Sequence, residues 1–317
     1  MVRTARSGDN GCIGIHVEPS APGAHTLRAR AGELPPPIYF AGSAVFHYLG
    51  PSFAVLLFAR VDVLGVAWLR IASAALILAI WRRPIGRLVA LDRAGRALIV
   101  GLGAVFAAMN VCFYISIDHL PLATVAAIEF IGPIVLALIG ARVGRNVAAA
   151  AIAVLGVFLL THVRFAGEPV GVAFALANAV LFTAYIVLAH RLSRRSDMGG
   201  IDGLAAAMLV AFVVVSPIGL VDAAHALPDP VAIAAGVGVG VSSSVVPYVL
   251  DQLAMARLPR ATYALFIALL PAMATLIGVI VLQQLPTRSD LVGIALVMAA
   301  VVLHRPDATS QTFSTIE

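Results

Sequence analysis

Ten apolar stretches recur along the chain, and their length is the feature that most constrains its fold. They lie at about 39–59, 64–81, 97–117, 121–141, 147–163, 170–190, 204–221, 230–250, 260–282 and 290–303. A helix needs about 20 apolar residues to cross the roughly 30 Å of hydrocarbon in a bilayer. Since 61% of the 317 residues are hydrophobic and only 12% are charged, a water-soluble globule would lack enough polar surface to cover itself. The sequence therefore predicts an all-α polytopic membrane protein with ten transmembrane helices.

The distribution of arginine predicts the orientation of these helices. With the N-terminus placed in the cytoplasm, seventeen of the 21 basic residues fall on the cytoplasmic side, while Arg70 lies inside the second stretch. Cytoplasmic loops of membrane proteins carry such an excess of positive charge. An even number of crossings returns the C-terminus to the same side. We therefore expect a disordered cytoplasmic tail at 1–37 and a second cytoplasmic tail at 304–317.

The chain contains an internal repeat. HLPLATVAAIEFIGPIVLALIG at 119–140 aligns with RLPRATYALFIALLPAMATLIG at 257–278, with nine identities in 22 positions, and Pro133 falls in register with Pro271. The offset spans five helices, and an odd number of crossings turns the second copy upside down. The sequence thus predicts two inverted five-helix repeats, at 38–165 and 166–303. Inverted repeats are typical of secondary transporters, whose substrate site lies near the midplane between the halves.

Two charged residues within the apolar stretches are the strongest candidates for a functional site. Glu129 lies about 12 Å into the fourth stretch at 1.5 Å per residue, and Arg70 lies about 9 Å into the second. A carboxylate at the centre of a membrane helix costs about 2.5–3.5 kcal/mol, so it should face water, carry a proton or have a cationic partner. Glu129 and Arg70 either form a structural ion pair or act on substrate and coupling ion. Both interpretations stay open.

Prolines predict interrupted helices beside these charges. Pro133 stands four residues after Glu129, so the Glu129 carbonyl loses its helical hydrogen bond. Pro271 repeats the interruption in the second half, and Pro247 frees the carbonyl of Ser243. Such backbone is tolerated in a membrane only where it borders protein or a cavity.

Further polar side chains lie within the stretches. Asn110 and Tyr114 are four residues apart and share one helix face, as do Ser244 and Tyr248; His47 lies in the middle of the first stretch. Asn178 and Tyr185 of the sixth stretch are lesser candidates. These residues line a cavity or bond neighbouring helices together, and His47 is either a proton relay or a packing residue.

Signatures of enzymes are missing from the sequence. It contains no HExxH, no GxSxG and, because it has no lysine, no Walker-type GxxxxGK motif. We expect no cofactor, no metal site and no nucleic-acid partner. An intramembrane enzyme that uses Glu129 with His47, or a receptor that does not transport, are the alternatives outside the transporter class.

Two segments carry a resemblance to a known family. FYISIDHLPLATVAAIEFIGPIVLALIG at 113–140 and VPYVLDQLAMARLPRATYALFIALLPAMATLIGVIVLQQLP at 246–286 resemble the paired EamA-type domains of the drug/metabolite transporter superfamily. An E-F-x-G-P segment and a PYxLxxxAxxxLP segment look like those of its threonine and homoserine exporter branch. The resemblance covers 38–303 and points to Glu129, Gly132, Pro133, Pro247, Tyr248, Pro259 and Pro271. The chain departs from the family's usual acidic residues at Asp251, where Glu is common, and at Gln284.

The resemblance implies a function. We expect a multi-pass protein of the bacterial cytoplasmic membrane that exports small polar metabolites, such as the amino acids threonine and homoserine, by alternating access. Its partners would be the lipid bilayer, a small-molecule substrate and, as a candidate coupling ion, the proton. A transporter of drugs, nucleotide sugars or lipid-linked sugars from the same superfamily is the alternative.

Overall fold

The computed structural model describes residues 36–132, 144–165, 167–193, 195, 200–255 and 270–303, which belong to one compact unit. Outside these ranges lie the two predicted tails, except residues 36–37, and the two predicted residues Pro133 and Pro259. Every regular element within the described ranges is a helix. This confirms the predicted all-helical class.

The described residues form twelve α-helices and one π-helical turn. They are α1 Pro36–Leu57, α2 Val63–Arg82, α3 Ile85–Ala90, α4 Arg93–His119, α5 Leu122–Glu129, α6 Gly144–Phe165, α7 Pro169–Ser193, α8 Gly200–Ala226, α9 Pro230–Gly240, a π-helical turn Val241–Val245, α10 Val246–Met255, α11 Leu270–Leu282 and α12 Arg288–Leu303.

Six segments of the described chain are long and apolar enough to cross a membrane. They are Ile38–Leu57, Val63–Arg82, Arg93–His119, Pro169–Ala189, Gly200–Ala226 and Pro230–Leu250. Shorter apolar helices, Gly144–Leu160 and Leu270–Leu282, accompany them. The multi-pass membrane architecture is therefore confirmed in its coarse form, while the number of ten crossings and the inverted repeat stay predictions.

The fourth predicted stretch differs from an uninterrupted helix. α5 ends at Glu129, and the Phe130 N–H donates to the Ala127 carbonyl at 3.3 Å in a tighter turn. A proline ring collides with the carbonyl four residues before it, and Glu129 is the residue four positions before Pro133. The α-helix therefore ends at the residue whose carbonyl the proline leaves unbonded.

The eighth predicted stretch also differs from a regular α-helix. Between α9 and α10, the Val246 N–H donates to the Val241 carbonyl five residues earlier, which makes a π-helical turn. Such turns are rare and occur often at functional sites. The wider turn accommodates Pro247 without ending the helix.

Glycines allow α9 to approach α2 closely. A Cβ built on Gly240 would lie 2.7 Å from the Arg70 carbonyl oxygen, and one on Gly236 would lie 2.8 Å from Leu69 Cδ1. A Cβ on Gly238 would meet nothing within 4 Å. Small residues at such contacts are the usual basis of helix packing in membranes.

This contact gives a prediction with an internal control. Gly240→Ala should destabilise the protein by about 1–3 kcal/mol, because the added methyl group meets backbone that cannot move aside. Gly238→Ala, two residues away on the same helix, should be neutral or stabilising by up to about 1 kcal/mol. Thermal unfolding in detergent measures both. Equal unfolding temperatures for the two variants would contradict the close approach of α9 and α2.

Charged contacts join helix ends and loops at both ends of the bundle. The end where α1 finishes and α2, α5, α7 and α9 begin is called the Arg60 end, and the opposite end is called the Asp202 end. At the Arg60 end the contacts are Arg60–Asp229 at 3.0 Å and His119–Glu168 at 3.8 Å. At the Asp202 end they are Arg82–Asp202 at 2.6 Å, Arg195–Asp92 at 2.7 Å and Arg87–Asp202.

Asp229 begins α9 at the Arg60 end. Its Oδ1 accepts hydrogen bonds from the Val231 and Ala232 N–H groups at 2.9 and 3.2 Å, and its Oδ2 accepts one from Arg60. The Ala232 backbone N–H above all, with Arg60 adding to it, lowers the pKa of Asp229 below its ordinary value. The cap and the ion pair therefore persist through the neutral pH range and are lost only as the pH falls through that lowered pKa.

The Asp202 cluster gives a second stability prediction. The Asp202 side chain is only 7% exposed, whereas those of Arg82 and Arg87 are 32% and 54% exposed. Replacing both arginines with alanine leaves a buried carboxylate without a partner and should cost about 3 kcal/mol. Asp202→Asn leaves two partly solvated arginines and should cost only about 1 kcal/mol.

Thermal unfolding of the two variants tests this order. Replacing Arg93 and Arg96 with alanine is the matched control, because both side chains are exposed and the change in charge is the same. The explanation fails if the variant lacking Arg82 and Arg87 is as stable as Asp202→Asn.

Candidate functional site

Arg70 is the buried cation of the site. It is 7% exposed, its Nε donates to Ser244 Oγ at 3.0 Å, and its Nη2 donates to the Ser243 carbonyl at 3.1 Å. Its guanidinium carbon lies 5.4 Å from the centroid of the Tyr114 ring. The Ser243 carbonyl is the acceptor that Pro247 leaves free. Arg70 of α2 is thus bound to the π-helical turn through the interruption that the sequence indicates.

Glu129, the second charged residue of the site, is held by a different partner. Asn178 of α7, which is fully buried, donates from Nδ2 to Glu129 Oε1 at 3.3 Å, and Glu129 itself is partly exposed. Arg70 is close enough to act on Glu129 electrostatically, yet these two described side chains form no ion pair. Of the two interpretations left open by the sequence, direct pairing is not observed in this structure.

Three buried side-chain atoms have no hydrogen-bond partner within the described part of the chain: Tyr114 Oη, Asn178 Oδ1 and Ser243 Oγ. Each belongs to a residue that contacts Arg70 or Glu129. Leaving such an atom unpaired costs about 1–3 kcal/mol, and folded proteins contain few of them. Tyr114 Oη and Asn178 Oδ1 lie in residues that contact the two charges, which indicates a place where a bound polar molecule completes the hydrogen bonding, whereas Ser243 Oγ lies against Gly50 of α1.

The unused hydrogen-bonding groups of Arg70 and Glu129 fit the same interpretation. A guanidinium carries five N–H donors, and Arg70 uses two of them within the described residues. The Glu129 carboxylate accepts one hydrogen bond there, from Asn178. Arg70, Tyr114, Glu129, Asn178, Ser243 and Ser244 together are called the polar site. Arg70 supplies its unused donors, and Glu129 and Asn178 Oδ1 supply its unused acceptors.

Both charges lie at a similar depth. Arg70 stands seven residues after the first residue of α2, and Glu129 stands seven residues after the first residue of α5. At 1.5 Å per residue each is about 10 Å from the Arg60 end. This depth lies well within the roughly 30 Å of bilayer hydrocarbon.

A group of aromatic rings lies closer to the Asp202 end than the polar site does. The ring centroids of Phe106 and Tyr248 are 5.9 Å apart, those of Phe106 and Tyr185 are 6.0 Å apart, and those of His47 and Tyr248 are 6.1 Å apart. The four residues come from α1, α4, α7 and α10, and are called the aromatic cluster. Tyr185 is seven residues beyond Asn178 on α7, which puts it about 10 Å nearer the Asp202 end. Two predicted site residues, His47 and Tyr248, therefore lie together in a layer of their own.

Asn110 forms a hydrogen bond within its own helix, and Gly132 lies at a contact between helices. Asn110 donates from Nδ2 to the Phe106 carbonyl of its own helix at 2.8 Å. A Cβ on Gly132 would lie 2.5 Å from the Ala179 carbonyl oxygen, so this glycine lets the segment after α5 approach α7. Neither residue hydrogen-bonds to Arg70 or Glu129.

The two described prolines of the predicted set are also accounted for. The Pro247 carbonyl accepts a hydrogen bond from Ser43 Oγ at 3.2 Å, which ties α10 to α1. Pro271 is buried near the beginning of α11, and its carbonyl accepts from Thr275 Oγ1 at 2.8 Å. Both contacts hold the backbone in place.

Sequence reasoning missed Tyr48 and the Ser243 hydroxyl. Tyr48 is 2% exposed and lies within electrostatic range of Glu129, but a tyrosine in an apolar stretch carries no sequence signal of that position. The Ser243 hydroxyl lies against Gly50 of α1. The signal available for Ser243 was its position four residues before Pro247.

A separate apolar groove of about 600 Å³ runs along α7. Its lining includes Ile131, Gly132, Leu176 and Val180, and its polar members are Thr183 and Arg191. Neither Arg70 nor Glu129 lines this groove.

Comparisons with known proteins show the family to which the chain belongs. The model of the EamA-like transporter family matches residues 169–304. The threonine/homoserine exporters RhtA of Salmonella typhimurium LT2 and of Escherichia coli K12 are each 31% identical over 258 residues, which cover 79% of this chain and 84% of each exporter.

The fold is shared with a known structure as well. A solved crystal structure superposes with a TM-score of 0.57 at 18% sequence identity, and covers 84% of this chain and 95% of that chain. The relatives and the family are transporters, so the chain is a membrane transporter and not an enzyme. It belongs to the EamA-like transporter family of the drug/metabolite transporter superfamily, near the threonine/homoserine exporter branch.

Proposed function

We propose that this protein is a secondary exporter of small zwitterionic amino acids of the threonine and homoserine class. The observation that carries the proposal is the pair of opposite charges at one depth, Arg70 and Glu129, which do not pair with each other and keep unused hydrogen-bonding capacity. A free amino acid carries a carboxylate and an ammonium group on one carbon atom. The names of the relatives give the substrate class.

Arg70 binds the substrate carboxylate in this proposal. A guanidinium forms two parallel, charge-assisted hydrogen bonds to a carboxylate, and its bonds to Ser244 and Ser243 fix its plane. Glu129 and the free Asn178 Oδ1 accept hydrogen bonds from the substrate ammonium. The Nδ2 bond from Asn178 holds the Glu129 carboxylate in position for this contact.

The proposed architecture places this site between two repeats. The match to the family model at 169–304 nearly coincides with the second repeat proposed at 166–303, which supports ten crossings in two inverted halves. Arg70 belongs to the first repeat and its serine partners belong to the second. Substrate sites of secondary transporters with inverted repeats lie at such an interface.

Alternating access then exposes the polar site to one side of the membrane at a time. The arginines of the Asp202 end, Arg82, Arg87 and Arg195, support a cytoplasmic location for that end. Protonation of Glu129 and binding of the substrate ammonium exclude each other, since both need the same carboxylate oxygens. This competition couples export of the amino acid to entry of a proton.

Uptake into inside-out membrane vesicles tests the proposed function. Labelled threonine should accumulate with saturable kinetics when a pH gradient is imposed, and unlabelled homoserine should compete. Vesicles without the protein are the control. The proposal fails if no amino acid in a panel shows saturable uptake, or if a drug, a nucleotide sugar or a lipid-linked sugar is the transported compound instead.

A further inference from the structure

The Tyr114 hydroxyl is a buried polar group that the proposed contacts to the amino-acid backbone leave unused. Tyr114 is 0% exposed, and its Oη has no hydrogen-bond partner within the described residues. A buried tyrosine hydroxyl usually has a hydrogen-bond partner, because the ring favours an apolar environment while the hydroxyl is polar. The exception here needs an explanation.

The ring of Tyr114 is fixed by its neighbours. The Arg70 guanidinium carbon lies 5.4 Å from its centroid, and the Phe58 ring contacts it edge-on at 6.0 Å. Tyr114 therefore cannot turn its hydroxyl towards another acceptor without losing these contacts. The hydroxyl is held beside the group that we assign to the substrate carboxylate.

The other groups of the polar site already provide partners for the carboxylate and the ammonium of the substrate. The carboxylate of an amino acid needs donors, and Arg70 has three N–H groups left for it. The ammonium needs acceptors, and Glu129 with Asn178 Oδ1 provides them. A hydroxyl both donates and accepts, so the natural partner of Tyr114 Oη is a substrate group that also does both.

We propose that the Tyr114 hydroxyl binds the side-chain hydroxyl of the substrate and sets the preference for hydroxylated amino acids over aliphatic ones of the same size. This inference rests on the proposed function. A site that is built to hydrogen-bond a substrate hydroxyl disfavours an analogue that lacks it, because the buried group of the protein is then left unpaired. Threonine against valine, and homoserine against norvaline, are the matched pairs.

Tyr114→Phe tests the inference in inside-out vesicles. The ratio of threonine uptake to valine uptake, each at a concentration well below saturation, should fall about fivefold, as expected for the loss of one neutral hydrogen bond. The thermal unfolding temperature of the empty protein should stay the same or rise, since an unpaired buried hydroxyl is removed. Tyr39→Phe is the control, because Tyr39 is also buried but lies in α1 outside the polar site, and it should leave the ratio unchanged.

Three results would overturn the inference. An equal loss of threonine and valine uptake would mean that Tyr114 contacts the substrate carboxylate or acts only on the fold. Unchanged uptake of both amino acids would mean that its hydroxyl does not contact the side chain. The wild-type protein alone provides a third test that needs no variant: if it transports amino acids but takes up valine as well as threonine, the inference fails while the proposed function stands.

Discussion

Arg70→Gln is expected to lower threonine transport at limiting concentration by about 10- to 150-fold. The change removes charge-assisted hydrogen bonds worth about 1.5–3 kcal/mol to the substrate carboxylate. Arg70→Lys should recover only part of the loss, because an ammonium keeps the charge but not the planar pair of donors. Initial rates in proteoliposomes, measured over a range of threonine concentrations, give the change directly.

A structural effect of the Arg70 variants must be separated from an effect on binding. Arg70 also bonds Ser244 Oγ at 3.0 Å, so Ser244→Ala removes this helix contact while it keeps the guanidinium. We expect Ser244→Ala to transport at a rate within about fivefold of wild type, because Arg70 loses only one neutral hydrogen-bond partner. Wild-type transport by a well-folded Arg70→Gln protein would exclude Arg70 as the carboxylate-binding residue.

Glu129→Gln is expected to abolish the acceleration of threonine transport by a pH gradient. Glutamine keeps the shape of glutamate and accepts a hydrogen bond, but it does not titrate. Exchange of internal for external threonine should therefore continue at a reduced rate, while net transport driven by the gradient is lost. Counterflow and gradient-driven uptake in the same proteoliposome preparation measure the two activities separately.

Glu168→Gln is the matched control for this experiment. Glu168 lies at the Arg60 end, where it contacts His119, and its side chain is 52% exposed. It should respond to the gradient as the wild type does. If gradient-driven transport survives at the wild-type rate in Glu129→Gln, another group carries the proton.

The parts of the site that depend on local chain chemistry could be predicted from the sequence. Pro133 predicts that the helix loses a hydrogen bond at Glu129, and α5 ends at that residue. Pro247 predicts a free carbonyl at Ser243, and this carbonyl accepts a hydrogen bond from Arg70. Such consequences follow because a proline acts on a carbonyl at a fixed distance along the chain.

The choice of partners across helices could not be predicted in the same way. The sequence left open whether Arg70 pairs with Glu129, and the structure joins Arg70 to Ser244 and Glu129 to Asn178. These choices depend on how helices rotate and approach one another, which glycines such as Gly240 help to set. Residue depth can be estimated from the sequence, but the side of a helix that faces a given neighbour cannot.

The Asp202 cluster shows the same limit. Arg82 and Asp202 are 120 positions apart, and nothing near either residue in the sequence indicates the other. From the sequence, arginines near the ends of apolar stretches indicate only how the helices are oriented in the membrane. Their second role, as partners of a buried carboxylate, comes from the packing of α2 and α3 against α8.

Competition with analogues that lack one charge tests the central claim most directly. Counterflow uptake of labelled threonine into proteoliposomes would be measured with one of three unlabelled competitors. These are threonine itself, N-acetylthreonine, which has no ammonium group, and threonine amide, which has no carboxylate. A site that binds both charges predicts that each analogue competes at least about tenfold more weakly than threonine, since each loses a charge-assisted contact. Competition by either analogue as strong as that by threonine would contradict the assignment of Arg70 and Glu129 to the two ends of a zwitterion.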